Sequence, residues 1–264
     1  MCQEHQVARL RPAMGTLAEI DARAGSQRRA ERAVAAGYAA LARVEALMHP
    51  SRAGSDLARL NAAPAGSCVS VHAWTAEVLR LSRELCLLSA GRFEPALPAC
   101  GSVLHWLPAG SRTVYIRHAA QLDLGGVAKG FAVDRAVAAM RRAGASAGLV
   151  NAGGDLRVFG PDPWPLWLRL GTAAPLQLEL RDGAIAGSDP GFAYGPPERR
   201  GYFRPRGARR SAPPRAAAVL APSAVLADAL TKVVMSAARG RSAALLTRYG
   251  AREVRPGPEA TARC

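Results

Sequence analysis

Lysine is nearly absent from this chain: of its 35 basic residues, two are lysines and thirty-three are arginines. Arginine is a flat, permanently charged fork, whereas lysine is a compact, mobile point charge suited to tight phosphate or carboxylate sites. The places that keep lysine are therefore marked, Lys129 in LDLGGVAKGFAVD and Lys232 in ADALTKVV. Aromatic residues are scarce at 5%, and no basic stripe interleaved with them occurs. That argues against a nucleic-acid partner despite a net charge of +15, because such surfaces combine clustered cations with stacking rings. No apolar run approaches the ~20 residues of a membrane span. The five cysteines are widely spaced, with no CxxC and no histidine at metal-ligand spacing, so they read as reduced thiols. The opening MCQEHQVARLRPAMGT lacks the apolar core of a signal segment, so the chain as given is expected to be cytoplasmic, or periplasmic if a leader precedes it.

What is present describes an ordinary globular protein, with 49% hydrophobic and 21% charged residues in 264 positions. A single domain over residues 1–264 is expected. After a short polar start, MGTLAEID alternates as a strand, and Gly25-Ser26 opens an Ala/Arg-rich helix to about Met48. Ser55 caps a short helix, SDLARLN, and Thr75 or His72 introduces a longer one ending at Gly91. Strands are expected at 113–117 and 120–125, then a helix from about Val127 to Arg142, and two short strands in GLVNAGGDLRVF. Further strands at 165–170, 175–181 and 216–221 precede helices at 223–240 and 242–249 and a terminal strand. Between Asp189 and Arg215, a Pro-, Gly- and Arg-rich stretch without periodicity reads as a surface loop.

Three segments carry the chemistry: Asp123-Leu-Gly-Gly126 with Lys129, Asn151-Ala-Gly-Gly-Asp155, and Asp228-Ala-Leu-Thr-Lys232. Taken singly each is ambiguous, since Gly-Gly pairs are common turns, Asp155 suits a strand end, and a helical aspartate is usually solvated. Together they describe a pyrophosphate site. Amides at glycine turns and at a helix start hold phosphate oxygens, a lysine neutralises them, and an aspartate holds Mg²⁺.

The ordered motifs MGT (14–16), SDLARLN (55–61), GRFEPALPA (91–99), LDLGGVAKGFAVDRA (122–136), GLVNAGGDLRVFG (148–160) and ADAL (227–230) strongly resemble the ApbE-type FAD:protein FMN transferases. The resemblance implies an α+β fold with a mixed or antiparallel sheet flanked by helices and a central FAD cleft. It implies transfer of FMN from FAD to a threonine or serine hydroxyl of an acceptor protein, with AMP leaving and Mg²⁺ assisting. Carried over, Met14 packs on the flavin nucleotide, Phe93 and Glu94 lie in its binding segment, and Asp123 and Lys129 contact FAD. The turn at Asn151, Gly153 and Gly154 joins that cofactor-binding set. The Gly126 carbonyl and Asp228 are the implied metal ligands, with Thr231 as a further candidate ligand, and Asp228 and Lys232 are expected to be the catalytic residues of this chain.

Three departures stand beside these matches. Family members usually carry an aromatic shortly before the SDLARLN-like segment, where this chain reads His49-Pro50-Ser51-Arg52. They tend to place a threonine, as a metal ligand, four positions after the motif aspartate, where this chain has Lys232, with Thr231 one place earlier. A histidine followed by Asp-Pro, thought to activate the acceptor hydroxyl, should fall near 199–206, where RRGYFRPRG has none. Lys232 thus either takes over part of the Mg²⁺ role or faces solvent while Thr231 turns in. Flavin binding without transfer, and Mg²⁺-dependent FAD hydrolysis, are the competing functions.

Overall fold

A computed structural model describes residues 4–97, 100–171, 174–189, 215–237, 240 and 242–254. Strand β1 (His5–Ala13) turns at Met14-Gly15 into β2 (Thr16–Ala24), and helix α1 (Gln27–Met48) begins after Ser26, whose hydroxyl accepts from the Arg29 amide. Helix α2 (Asp56–Ala62), strand β3 (Cys68–Ser70) and helix α3 (Ala73–Leu88) lead to β4 (Trp106–Pro108) and β5 (Thr113–Ile116). The chain continues through α4 (Ala128–Arg142), β6 (Ala147–Ala152), β7 (Asp155–Phe159), β8 (Trp164–Leu168), β9 (Leu176–Leu180) and β10 (Ala184–Ser188). After residue 214 come β11 (Ala217–Ala221), α5 (Ala224–Ser236), α6 (Ala243–Arg248) and β12 (Arg252–Val254).

The fold is α+β. Seven strands form one sheet in the order β1-β2-β6-β7-β10-β11-β12, with every neighbouring pair antiparallel. Helices α1, α4 and α5 cover one face, and the β8–β9 hairpin packs on the other. Both faces of β11 are buried, so it reads as a continuous apolar run: Ala217, Val219 and Ala221 join the helix-side core while Ala218 and Leu220 join the hairpin-side core. A smaller sheet, β3-β5-β4, sits beside α3 and shares the helix-side core through Val114 and Ile116.

Two expectations fail for physical reasons. The polar start is an edge strand, β1, in which Val7 alone is buried; its exposed arginines and Pro12 suit a blunted sheet edge and hide any alternation. Residues 120–125 are extended without being a strand. They make only an isolated antiparallel bridge, Ala96 to Leu122, with backbone hydrogen bonds to Pro95, Leu97 and Cys100, and on the other side the Asn61 amide donates to the Leu122 carbonyl at 3.0 Å and accepts from the Leu122 amide at 2.9 Å. His72, rather than Thr75, caps α3, accepting from the Trp74 amide. The buried Thr75 hydroxyl and the His72 amide instead donate to Asp56, which ties α2 to α3.

Candidate functional site

Two tight turns meet at one end of the large sheet. Met14 (φ 55°) and Gly15 (φ 69°) close the β1–β2 hairpin between paired Ala13 and Thr16, the two-residue geometry with positive φ at both positions. Gly153 (φ 62°) and Gly154 (φ 95°) close β6–β7 between Ala152 and Asp155, and the Asn151 side-chain oxygen accepts from the Gly154 amide at 3.0 Å. Ala18 pairs with Ala152, which brings the two turns side by side, and a Cβ on Gly153 would come within 2.9 Å of the Thr16 hydroxyl. Glycine at 153 is thus required for contact as well as for conformation.

Helices α4 and α5 are clamped together behind these turns. The Asp134 carboxylate, on α4, accepts from the first α5 amides, Ala224 and Val225, at 2.9 Å each, and also holds Arg157 at 2.6 Å. Gly130 lets the helices touch, since a Cβ there would lie 2.3 Å from the Ala224 carbonyl oxygen. This contact delivers fully buried Asp228 to the start of α4, where its Oδ2 accepts from the Gly130 amide at 3.1 Å. Val127 supplies no side-chain cap to α4. The helix start that reads as an anion site in the sequence therefore already holds a carboxylate of the protein.

Both lysines converge on this point. Lys232, one turn beyond Asp228 on α5, donates from Nζ to Asp228 Oδ1 at 2.5 Å, to the Ser188 hydroxyl at 2.9 Å and to the Thr231 hydroxyl at 3.1 Å. Its stem runs over Gly126, where a Cβ would meet the lysine Cε at 3.3 Å. Lys129 donates to the Gly125 carbonyl at 3.1 Å and lies 3.3 Å from Asp155 Oδ2, an oxygen with no hydrogen-bond partner. Burial opposes ionisation of Asp228, but the charges of Lys232 and Lys129 outweigh it and hold the carboxyl below its ordinary range. Burial and the Asp228 charge push Asp155 up to about 6 against the pull of both lysines. The Asp228 charge likewise raises Lys129, so its ammonium persists at any physiological pH.

The fold thus gathers Gly126, Lys129, Asp228, Thr231 and Lys232, with the Asn151–Gly154 turn joined through Asp155. Asp123 shapes the entry to α4, its Oδ1 accepting from the Gly125 amide at 2.8 Å. Phe93 and Glu94 follow α3 and hold the chain between it and β4. The Phe93 ring is 3% exposed within the helix-side core, and the Glu94 carboxylate accepts from the Ala96 and Val103 amides, the Ser102 hydroxyl and the Cys86 thiol. Two contributors escape sequence reading: Ser188 carries no local signal, and Asp134 looks like any helical aspartate. Asp155, in a segment the sequence singles out, is buried against Lys129. The 189–215 loop, and with it the segment where a histidine is missing, lies outside the described residues apart from its two ends.

A cleft of about 650 Å³ opens between the sheet and the β8–β9 hairpin, with Asn151, Gly153, Gly154 and Ser188 on its wall. Fold and site together define an α+β protein with half-buried lysines, a helix start and glycine turns converging at one sheet end. The sequence profile of the ApbE family matches residues 14–110 and 105–254, and the chain belongs to that family. Its fold is similar to the flavinyl transferase ApbE of Pseudomonas stutzeri, at 22% identity and a TM-score of 0.78 over 97% of this chain and 93% of that one. The flavin transferase ApbE of Vibrio cholerae superposes at 20% identity and a TM-score of 0.79, over 95% and 93% of the two chains. The ApbE protein of Thermotoga maritima gives 20% and 0.76, over 93% and 91%. No curated protein sequence matches the chain.

Proposed function

We propose that the chain is an FAD:protein FMN transferase, moving the FMN half of FAD onto a threonine or serine hydroxyl of an acceptor protein and releasing AMP. The observation that carries this reading is the convergence of Lys129 and Lys232 on glycine turns and a helix start, in a chain of the ApbE family. Cleaving a pyrophosphate is phosphoryl transfer, where positioning and charge stabilisation dominate. The acceptor oxygen bonds to the FMN phosphorus as the bond to the AMP oxygen breaks, and the hydroxyl proton departs. Lys129, with 29% of its side chain exposed, is the cation free to exchange protein oxygens for a phosphate oxygen. Met14 and the Asn151–Gly154 turn edge the same end of the sheet, suited to the nucleotide.

The family resemblance assigns Mg²⁺, which would neutralise developing phosphate charge, to the Gly126 carbonyl and Asp228, with Thr231 the nearest hydroxyl to complete the set. These donors do not fit a divalent ion while Lys232 stands among them. Asp228 Oδ1 and the Thr231 hydroxyl are bound by the ammonium, and Asp228 Oδ2 by an amide. An ion sharing those oxygens would lie about 4 Å from the ammonium, a repulsion of roughly 8 kcal/mol at an effective dielectric constant of about 20. No step is therefore routed through a metal.

Flavin binding without transfer is the second reading, favoured by the absence of histidine from the 189–215 segment. A positioned general base contributes about 10²–10⁴-fold. Incubation with FAD and an acceptor carrying a flavinylation threonine, followed by mass spectrometry, tests both. An acceptor heavier by one FMN supports transfer; intact FAD bound without adduct supports the second reading; free FMN and AMP alone would indicate hydrolysis and overturn both.

A further inference from the structure

The Lys232 ammonium has three N–H donors and three oxygens around it, one each from Asp228, Thr231 and Ser188. Those oxygens come from α5 and from the end of β10, and the lysine stem is seated over Gly126 at the entry to α4. This is a built cradle for one compact cation. A guanidinium, planar and broader, fits this space over Gly126 less well than a compact ammonium. The pattern also explains why a chain that has arginine almost everywhere keeps lysine here.

We propose that Lys232 is the resident cation of the phosphate site: its ammonium, fixed by Asp228, Thr231 and Ser188, supplies the positive charge beside the start of α4 that a divalent ion would otherwise supply. The inference rests on the flavin reading above for the identity of the phosphate ligand. Its first consequence is that the protein binds the pyrophosphate of FAD without a divalent ion. Its second is that removing the ammonium frees the oxygens of Asp228, Thr231 and Ser188, so the variant gains a metal requirement that the natural chain lacks. Lys232 is then a positioning and charge-supplying residue, and a substitution should convert the metal dependence as well as weaken binding.

Two measurements on the full chain decide it, each on wild type, Lys232→Thr and Lys232→Met, with circular dichroism confirming that the variants fold. In the first, without flavin, Mn²⁺ is titrated and the free ion counted by electron paramagnetic resonance. Wild type should take up none at this site, while Lys232→Thr should bind one ion that is lost again in Lys232→Thr/Asp228→Asn. In the second, FAD affinity is measured by flavin fluorescence in EDTA and in MgCl₂. Wild type should bind equally in both, whereas Lys232→Thr should bind at least tenfold more weakly in EDTA and recover in MgCl₂. Lys232→Met should weaken similarly in EDTA. One Mn²⁺ on wild type that Asp228→Asn removes, or no Mn²⁺ on either Lys232 variant, overturns the proposal. So does a tenfold gain in wild-type affinity from MgCl₂, or a Lys232→Thr affinity as indifferent to EDTA as wild type. If FAD binds to none of the proteins, the flavin reading fails, and the Mn²⁺ count still decides whether Lys232 occupies a cation site.

Discussion

Cations are handled in opposite ways at two places in this molecule. Where α1, α3 and α4 meet, Arg43 and Arg135 lie over Trp74 at 5.4 and 5.5 Å, and Arg135 also covers Phe131 at 4.5 Å and reaches Glu77. At the sheet end, Lys129 and Lys232 point into a pocket of carboxylates, hydroxyls and carbonyls. The first region uses a flat, weakly hydrated group to cover rings near solvent, where geometry is tolerant. The second uses point charges among oxygens, and at Lys232 each donor is matched. The contrast teaches that both lysines of this chain serve a small polar cavity, while Arg43 and Arg135 cover ring surfaces.

The sharpest way to break the contrast is to empty the cavity of its carboxylate. Asp228→Ala leaves the Lys232 ammonium and the Gly130 amide without their shared acceptor, and should destabilise the fold by about 3–5 kcal/mol in denaturant titration. Exchange of the two cation types comes next. Lys129→Arg should weaken FAD binding by roughly 10–100-fold in a fluorescence titration, because a guanidinium cannot replace a point charge between Gly125 and Asp155.

A pH test follows in size. Asp155 has its carboxyl raised to about 6 in the folded chain against 3.8 as its ordinary value, so on acidification the folded state takes up the proton first. Its stabilising contribution is therefore full below about pH 4 and lost as pH rises through about 6. The stability of wild type relative to Asp155→Asn should grow by roughly 2 kcal/mol between pH 7 and pH 4, and a flat difference would show that Asp155 titrates normally. The smallest effect is expected at the rings. Arg135→Lys should cost less than about 1 kcal/mol and leave FAD affinity unchanged, since an exposed cation–π contact is worth little.

Much of this was legible from residue order. The strands in GLVNAGGDLRVF, the capped helices after Ser26 and Ser55, and the glycine entry to α4 all follow from local pattern. What was illegible shares one cause, a long-range partner. Strand β1 carries too little burial to alternate, and the 120–125 segment is held by one isolated bridge to Ala96 and by the Asn61 amide rather than by a full strand ladder. Asp134 and Ser188 look unremarkable until α5 and β10 are brought beside them.

No helix among the described residues is long and apolar enough to cross a membrane, in agreement with the sequence pattern. By itself the sequence determined the family, the class of fold and the two positions where lysine is kept, because these depend on local pattern and on motif order. Only the tertiary structure decided what the lysines do. The spacing of Asp228 and Lys232 puts them on one helix face, yet whether that ammonium turns inward depends on Ser188 from β10, on Gly126 before α4 and on the close α4–α5 contact at Gly130. A charge goes where its desolvation is repaid by matched oxygens, and those oxygens are assembled from segments that meet only in the folded chain.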